Sequence, residues 1–140
     1  MTMVKTVFAR EFPSTTKALA ETLSLALDAL VDHNWCSLED SFCIRLCIEE
    51  ALVNAVVHGN KNRPDQTVSI EIKEDGDVCT IRVRDEGEGF DPTSVEMPEC
   101  NQLGGRGVCL IKHYMDNVFF NGEEGCLQME FSRGSFSCEV

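Results

Sequence analysis

Residues 68–84 place the tightest constraint on the fold. VSIEIKE (68–74) and DVCTIRVR (77–84) each alternate apolar and polar residues with a period of two, and Asp75-Gly76 between them is a two-residue hairpin signal. An antiparallel pair of this kind has one apolar face that must be covered and one polar face that water can cover. Two strands alone are marginally stable in water. The rest of the chain must therefore supply further strands and an apolar layer to lie on them.

It does so in a readable order. Residues 3–12 alternate loosely and form an expected first strand, ended at Pro13. Ser14 is the expected N-cap of a helix in which Leu19, Leu23, Leu27 and Leu30 recur at helical spacing through Val31. Asp32-His33-Asn34 ends it. Ser37 is expected to cap a second helix, roughly 38–58, ending near Gly59. After the hairpin come a glycine-rich stretch from 86 to 107, a short helix at about 107–116, and two strands, 117–121 and 126–132, about a turn at Asn121-Gly122. The order β-α-α-β-β-loop-α-β-β predicts an α+β fold: a two-layer α/β sandwich, with helices on one face of a mostly antiparallel sheet. At 140 residues the expectation is a single domain, 1–140.

Composition removes several function classes. No run of about 18 apolar residues occurs, so no membrane span is expected. The N-terminal MTMVKTVFAREFP is too short and polar for a secretory signal, which makes a cytoplasmic location the expectation. The formal net charge is -12 with no basic run, which argues against direct nucleic-acid binding. The cysteines Cys36, Cys43, Cys47, Cys79, Cys100, Cys109, Cys126 and Cys138 contain no C-x-x-C pair and are not grouped with histidines. They read as small apolar side chains in a reducing compartment rather than as a zinc site.

The second helix carries a polar line inside an apolar surface. At 3.6 residues per turn, Asn54 falls about 40° and His58 about 80° from Glu50, with Leu46, Val53 and Val57 on the same side. Arg45 and Glu49 fall on the opposite side as an i, i+4 pair. A carboxylate and an amide buried there need a metal, a ligand, water or another side chain. Hydrogen bonds to loop backbone are one solution. The chemical alternative is that the Asn54 carbonyl oxygen binds Mg²⁺, while Glu50 orients or deprotonates a hydroxyl near a γ-phosphate.

Two glycine-rich segments complete the set. Asp85-Glu86-Gly87-Glu88-Gly89-Phe90 follows a strand, so its Asp is a fixed acceptor beside backbone able to adopt positive φ; it can accept from the exocyclic amine of adenine or simply cap a turn. Gly104-Gly105-Arg106-Gly107-Val108 opens a helix, where free N–H groups and Arg106 suit phosphate. No G-x-x-x-x-G-K-[ST] loop is present, and a dinucleotide fingerprint fails for want of a third glycine and a preceding strand.

Together CIEEALVNAVVHGN, DEGEGFDP and GGRGVCLIKHYMD resemble the ATP-binding boxes of the GHKL superfamily (gyrase, histidine kinase, MutL). E-A-x-x-N-A-x-x-H-G with G-R-G-x-x-L-I is similar to the small anti-sigma-factor serine/threonine kinases of the RsbW type, over nearly the whole chain. The resemblance implies the Bergerat, or histidine kinase-like ATPase, fold. It implies ATP and Mg²⁺ as cofactors, Glu50 as the catalytic base and Asn54 as the Mg²⁺ ligand. It implies Asp85 as the adenine acceptor. Gly87, Gly89 and Phe90 belong to the nucleotide wall, His58 and Gly59 to the end of the first box, and residues 91–106 to a lid. Gly105, Arg106, Gly107 and Val108 start the following helix. The implied partners are a STAS-type anti-anti-sigma protein, phosphorylated on serine, a sigma factor, and a second copy in a homodimer. Where that family often has Thr after a late glycine, this chain has Cys126 and Leu127 after Gly125.

Three functions fit these residues: a serine kinase doubling as an anti-sigma switch, an ATP-binding partner-switching module with little or no transfer, and an interaction domain with a degenerate pocket. The intact set from Glu50 to Gly107 disfavours the third. A base within reach of the γ-phosphate separates the first from the second.

Overall fold

The computed structural model describes residues 3–87, 111–121 and 124–134. Its elements are β1 (Val4–Pro13), α1 (Thr16–Asp32), α2 (Ser41–Val53) continued by a π-helical turn (Asn54–Gly59), β2 (Thr67–Asp75), β3 (Val78–Arg84), β4 (Asn117–Asn121) and β5 (Cys126–Ser132). Residues 111–114 are helical. The strands form one sheet in the order β1-β2-β3-β5-β4. Each neighbouring pair is antiparallel, so the expected α+β architecture holds.

Period-two alternation places Val68, Ile70, Ile72, Cys79, Ile81, Val83, Leu127, Met129 and Phe131 on one buried face. From above, α1 contributes Leu19, Leu23, Ala26 and Leu30 to the same core, α2 contributes Ile44, Ile48 and Leu52, and the π turn contributes Val56. The opposite sheet face is polar. It holds a depression of about 500 Å³ lined by residues such as Glu11, Ser69, Glu71, Arg82 and Arg84.

At the sheet end away from Asp85, Trp35 is buried and its indole N–H donates to Glu74 Oε2 at 2.9 Å. The Trp35 ring meets Phe131 edge-on at 5.6 Å, and the Arg133 guanidinium lies 4.0 Å from its centroid. Arg133 also pairs with Glu74 and Asp77. This cluster ties the α1–α2 connection to the β2–β3 hairpin, giving a buried indole the polar partner it needs.

Four local expectations are corrected. The N-cap of α1 is Thr15, whose hydroxyl accepts from the Ala18 N–H at 3.2 Å; Ser14 is instead buried, its hydroxyl donating to the Gln66 carbonyl. The hairpin turn falls one residue later, at Gly76-Asp77, because Asp75 pairs with Val78; Gly76 has φ +59 while Asp77 does not turn left-handed, the type II′ pattern. The second helix begins at Ser41 rather than 38; Ser37 caps only the preceding turn, accepting from the Asp40 N–H. The helix ends at Gly59 as expected, but its last turn is π rather than α, and the left-handed residues Lys61 and Asn62 lie beyond it.

Of the cysteines, Cys43, Cys47, Cys79 and Cys126 are buried and Cys36 is half-buried. Burial pushes the Cys79 thiol up to about 12, with the neighbouring Glu74 adding to the shift, so it stays protonated. Cys100, Cys109 and Cys138 lie outside the described residues.

Thr15→Ala is expected to lower stability by about 1 kcal/mol through loss of the α1 cap. Urea unfolding checks this; an unchanged midpoint would contradict the assignment of the cap to Thr15.

Candidate functional site

α2 sits on the sheet through Cys43, Ile44, Cys47, Ile48, Ala51 and Leu52, all buried. This leaves a half-buried stripe of Leu46, Glu50, Val53, Asn54 and Val57 along its flank. The polar line of the sequence is therefore one edge of the helix rather than its centre. Among the described residues, neither Glu50 nor Asn54 has a side-chain hydrogen bond or ion pair. No fully buried side-chain polar atom lacks a partner among them either, so these two side chains open onto solvent-accessible space. Arg45 is exposed and forms no ion pair with Glu49.

The helix then widens. The Asn60 N–H bonds back five residues to the Ala55 carbonyl at 2.8 Å, and the Asn62 N–H reaches the Val56 carbonyl at 2.9 Å. Such π turns are rare and recur at functional sites. This one delivers Gly59 against the carboxylate of Asp85, just past the end of β3.

Asp85 is held by backbone on several sides. Its N–H donates to the Gly125 carbonyl at 3.0 Å, continuing the β3–β5 ladder by one bond. Its Oδ1 accepts from the Gly87 N–H at 2.9 Å, a local Asp turn. Glycine is required at three neighbours by space. A Cβ on Gly59 would collide with the Asp85 carboxylate, and one on Gly87 would strike the Gly59 carbonyl. A Cβ on Gly125 would lie 2.6 Å from Asp85 Oδ1, and Gly125 also has φ +61. Gly59 and Gly87 lie outside the left-handed region, so close approach, not backbone freedom, demands glycine there.

The result is a half-buried carboxylate in a cradle of backbone. Burial raises its pKa, and the Gly87 N–H pulls it partly back. An acceptor held this way suits a neutral donor, such as an exocyclic amine, approaching from the open side. The donor set near α2 is equally selective: Asn54 offers a hard carbonyl oxygen, and no group of three His, Cys, Asp or Glu gathers among the described residues. That suits a cation that keeps most of its waters. The π turn runs from Asn54 to Gly59, so the carboxylate–amide pair and the Gly59 wall of the cradle belong to one continuous helical segment.

Of the residues singled out in the sequence, the structure thus joins Asp85 and Gly87 in the cradle and sets Glu50 and Asn54 together on the helix edge. His58 lies exposed on the π turn. Gly89, Phe90, Gly105, Arg106, Gly107 and Val108 lie outside the described residues. Sequence reasoning gave no role to Gly125, Asn60 or Glu86. Gly125 could have been found as a lone glycine opening the last strand. Asn60 closes the first quoted motif, CIEEALVNAVVHGN, but nothing in the sequence gave its side chain a role.

The sequence profile of the histidine kinase-like ATPase domain matches residues 12–131. The chain belongs to that family.

This histidine kinase-like ATPase domain is 32% identical over 87 residues to the anti-sigma F factor of Geobacillus stearothermophilus, covering 57% of this chain and 59% of that relative. It therefore spans less than two thirds of that protein's length. It is 28% identical over 119 residues to the anti-sigma F factor of Clostridium beijerinckii, covering 80% of each chain. It is 26% identical over 122 residues to the serine/threonine-protein kinase BtrW of Bordetella bronchiseptica, covering 79% of this chain and 86% of that one. Among solved structures it is similar to the histidine kinase domain of the Erythrobacter litoralis EL346 blue-light activated histidine kinase, with a TM-score of 0.55 and 20% identity over 91% of this chain and 69% of that one. The expected GHKL resemblance and fold both hold.

The cradle makes two predictions. Gly59→Ala is expected to destabilise the wild-type fold but to cost far less when Asp85 is also Ala, because its Cβ collides chiefly with that carboxylate. Gly125→Ala is expected to remain costly in both backgrounds, by about 1–2 kcal/mol, because of its left-handed backbone. Denaturant unfolding of the single and double variants checks both. Secondly, a raised carboxyl pKa means that Asp85 destabilises the fold progressively as pH rises from the unfolded value through the folded one. Asp85→Asn should therefore raise the melting temperature at pH 7, with the gain disappearing below the ordinary Asp range. A melting temperature lowered by Asp85→Asn at pH 7 would contradict this account of the cradle.

Proposed function

We propose that this chain binds Mg·ATP in the groove between α2 and the Asp85 loop and uses it to phosphorylate serine on a STAS-type anti-anti-sigma protein. The observation that carries the reading is the Asp85 cradle: a half-buried acceptor closed in by Gly59, Gly87 and Gly125. The relatives named anti-sigma F factor and serine/threonine-protein kinase support the direction of transfer and the regulatory setting. On this reading residues 1–140 form one domain of a cytoplasmic regulator, which sequesters a sigma factor and works as a homodimer.

Each residue has a distinct task. Asp85 accepts from the adenine amine, and Gly87, Gly89 and Phe90 wall the base and sugar. Asn54 holds the metal through its side-chain oxygen. Bound Mg²⁺ neutralises charge on the phosphates and fixes their orientation. On the family resemblance, Arg106 donates to phosphate oxygens, and Gly105, Gly107 and Val108 contribute backbone N–H groups to them. His58 lies at the end of the groove-lining turn. Glu50, one helical turn from Asn54, takes the proton from the serine hydroxyl as its oxygen bonds to the γ-phosphorus and the bond to the β,γ-bridging oxygen breaks, releasing ADP. Water-facing, unpartnered carboxylate oxygens suit this role, since a base tied up in an ion pair could not receive a proton.

The test is calorimetric Mg·ATP binding of the full chain beside radiolabelled transfer to candidate STAS proteins. Asn54→Ala is expected to abolish Mg·ATP binding. Glu50→Gln is expected to keep binding and lose about 10²–10⁴-fold in transfer. Glu49→Gln, off the stripe, should change little. Normal transfer by Glu50→Gln would overturn the base assignment, and binding with no transfer to any serine would leave an ATP-dependent partner-switching module.

A further inference from the structure

We propose that Asn60 is the positioning residue that holds the Asp85 loop in register with the end of the α2 π turn, and through it sets discrimination between adenine and guanine; this rests on the ATP-binding reading above. Asn60 is wholly buried, and its amide is saturated. Nδ2 donates to Ser14 Oγ at 2.8 Å and to the Thr67 carbonyl at 2.9 Å, while Oδ1 accepts from the Glu86 N–H at 2.8 Å. These partners come from three places: the β1–α1 junction, the start of β2 and the loop after β3.

The orientation of the amide follows from the chemistry. Ser14 commits its hydroxyl proton to the Gln66 carbonyl at 2.8 Å, so toward Asn60 it can only accept. The Thr67 carbonyl can only accept, and the Glu86 N–H can only donate. Two acceptors and one donor at this spacing require an amide, with its nitrogen and oxygen placed one way round.

Glu86 is the residue between Asp85 and Gly87, the two halves of the Asp turn. Its N–H is held by Asn60, and its Oε2 accepts from the Thr67 N–H at 2.7 Å. The Asp85 carboxylate itself has only the Gly87 N–H among the described residues, so its place depends on where Glu86 is pinned. On the other side, the Asn60 N–H closes the π turn onto Ala55, and the residue before Asn60 is Gly59, the opposite wall of the cradle. One side chain thus fixes the acceptor and the wall facing it. A site that selects a base by one hydrogen bond discriminates only while that acceptor stays in place.

The experiment compares Asn60→Ala and Asn60→Asp with wild type in the full chain. It reads Mg·ATP and Mg·GTP affinity by calorimetry and the apo melting temperature. Asn60→Ala frees the Glu86 N–H and is expected to reduce the ATP/GTP affinity ratio by at least about tenfold. Asn60→Asp keeps an acceptor for Glu86 but buries a charge facing the Thr67 carbonyl. It should lower the melting temperature more than Asn60→Ala yet retain most of the ratio. A ratio preserved in Asn60→Ala, or a ratio that falls in step with melting temperature across both variants, would overturn the proposal in favour of a purely structural role. If Asn60→Asp does not fold, the ratio in Asn60→Ala decides alone. If wild type binds neither nucleotide, the ATP reading fails and base discrimination with it. The mechanical link is then read from amide NMR shifts of Glu86 and Gly87. Movement in Asn60→Ala supports the link, and unchanged shifts refute it.

Discussion

The carboxylate of Asp85 occupies space that side chains at positions 59 and 125 would otherwise fill, the Gly59 carbonyl occupies that of position 87, and much of the molecule is arranged around that fact. Gly59 arrives from the helical layer, Gly87 from the loop after β3, and Gly125 from the turn before β5. Bringing three backbones this close to one acidic group is possible only with no Cβ on any of them. It also requires the helix above to end in the right place, which the π turn from Asn54 to Gly59 achieves by widening the chain's path toward the sheet. A standard α-helical continuation would place Gly59 and Asn60 elsewhere on the helix surface, since one residue more per turn shifts the direction of every later side chain.

The electrostatic consequence is a tension between stability and use. A chain of net charge -12 gains nothing from drawing one more carboxylate out of water, and burial pushes the Asp85 group up rather than down. Among the described residues the fold compensates with only one N–H to the carboxylate, from Gly87. Leaving acceptor capacity unfilled on a partly desolvated group is costly for the empty protein and favourable for a ligand that brings a donor. Glu50 and Asn54, which also have no side-chain partner among the described residues, differ in opening onto solvent-accessible space. By contrast, buried polar side chains elsewhere are satisfied: Thr22 by the Ala18 carbonyl, Trp35 by Glu74, and Asn60, beside the cradle, by three partners at once.

The sheet beneath shows the division of labour that antiparallel architecture permits. Its helix-side face is an aliphatic surface on which α1 and α2 lie, while its far face carries Glu71, Arg82 and Arg84 and remains polar. The Trp35–Glu74–Arg133 cluster closes the end opposite Asp85. The Asp85 cradle therefore lies at one end of a sandwich whose other end is fastened by this cluster.

The alternation in residues 68–84, the leucine spacing of the first helix and the bounds of the last two strands were all readable from the sequence by itself, because each depends on a local period that a buried face imposes. So was the line of Glu50 and Asn54, since residues one turn apart share a face whatever surrounds them. The identity of the N-cap, the one-residue shift of the hairpin turn and the π turn were not readable, because each is settled by competition among nearly equal local choices. Ser14 and Thr15 are both good caps, and Ser14 is drawn away by Gln66 and Asn60 from elsewhere in the chain. Only the tertiary structure could reveal why Gly59, Gly87 and Gly125 are glycines and why Asn60 is an asparagine. Their reasons are contacts between residues far apart in the chain, from Gly59 to Asp85, from Gly87 back to Gly59, from Asp85 to Gly125 and from Asn60 to Ser14. A sequence records the absence of a side chain, but only the fold shows what fills the space.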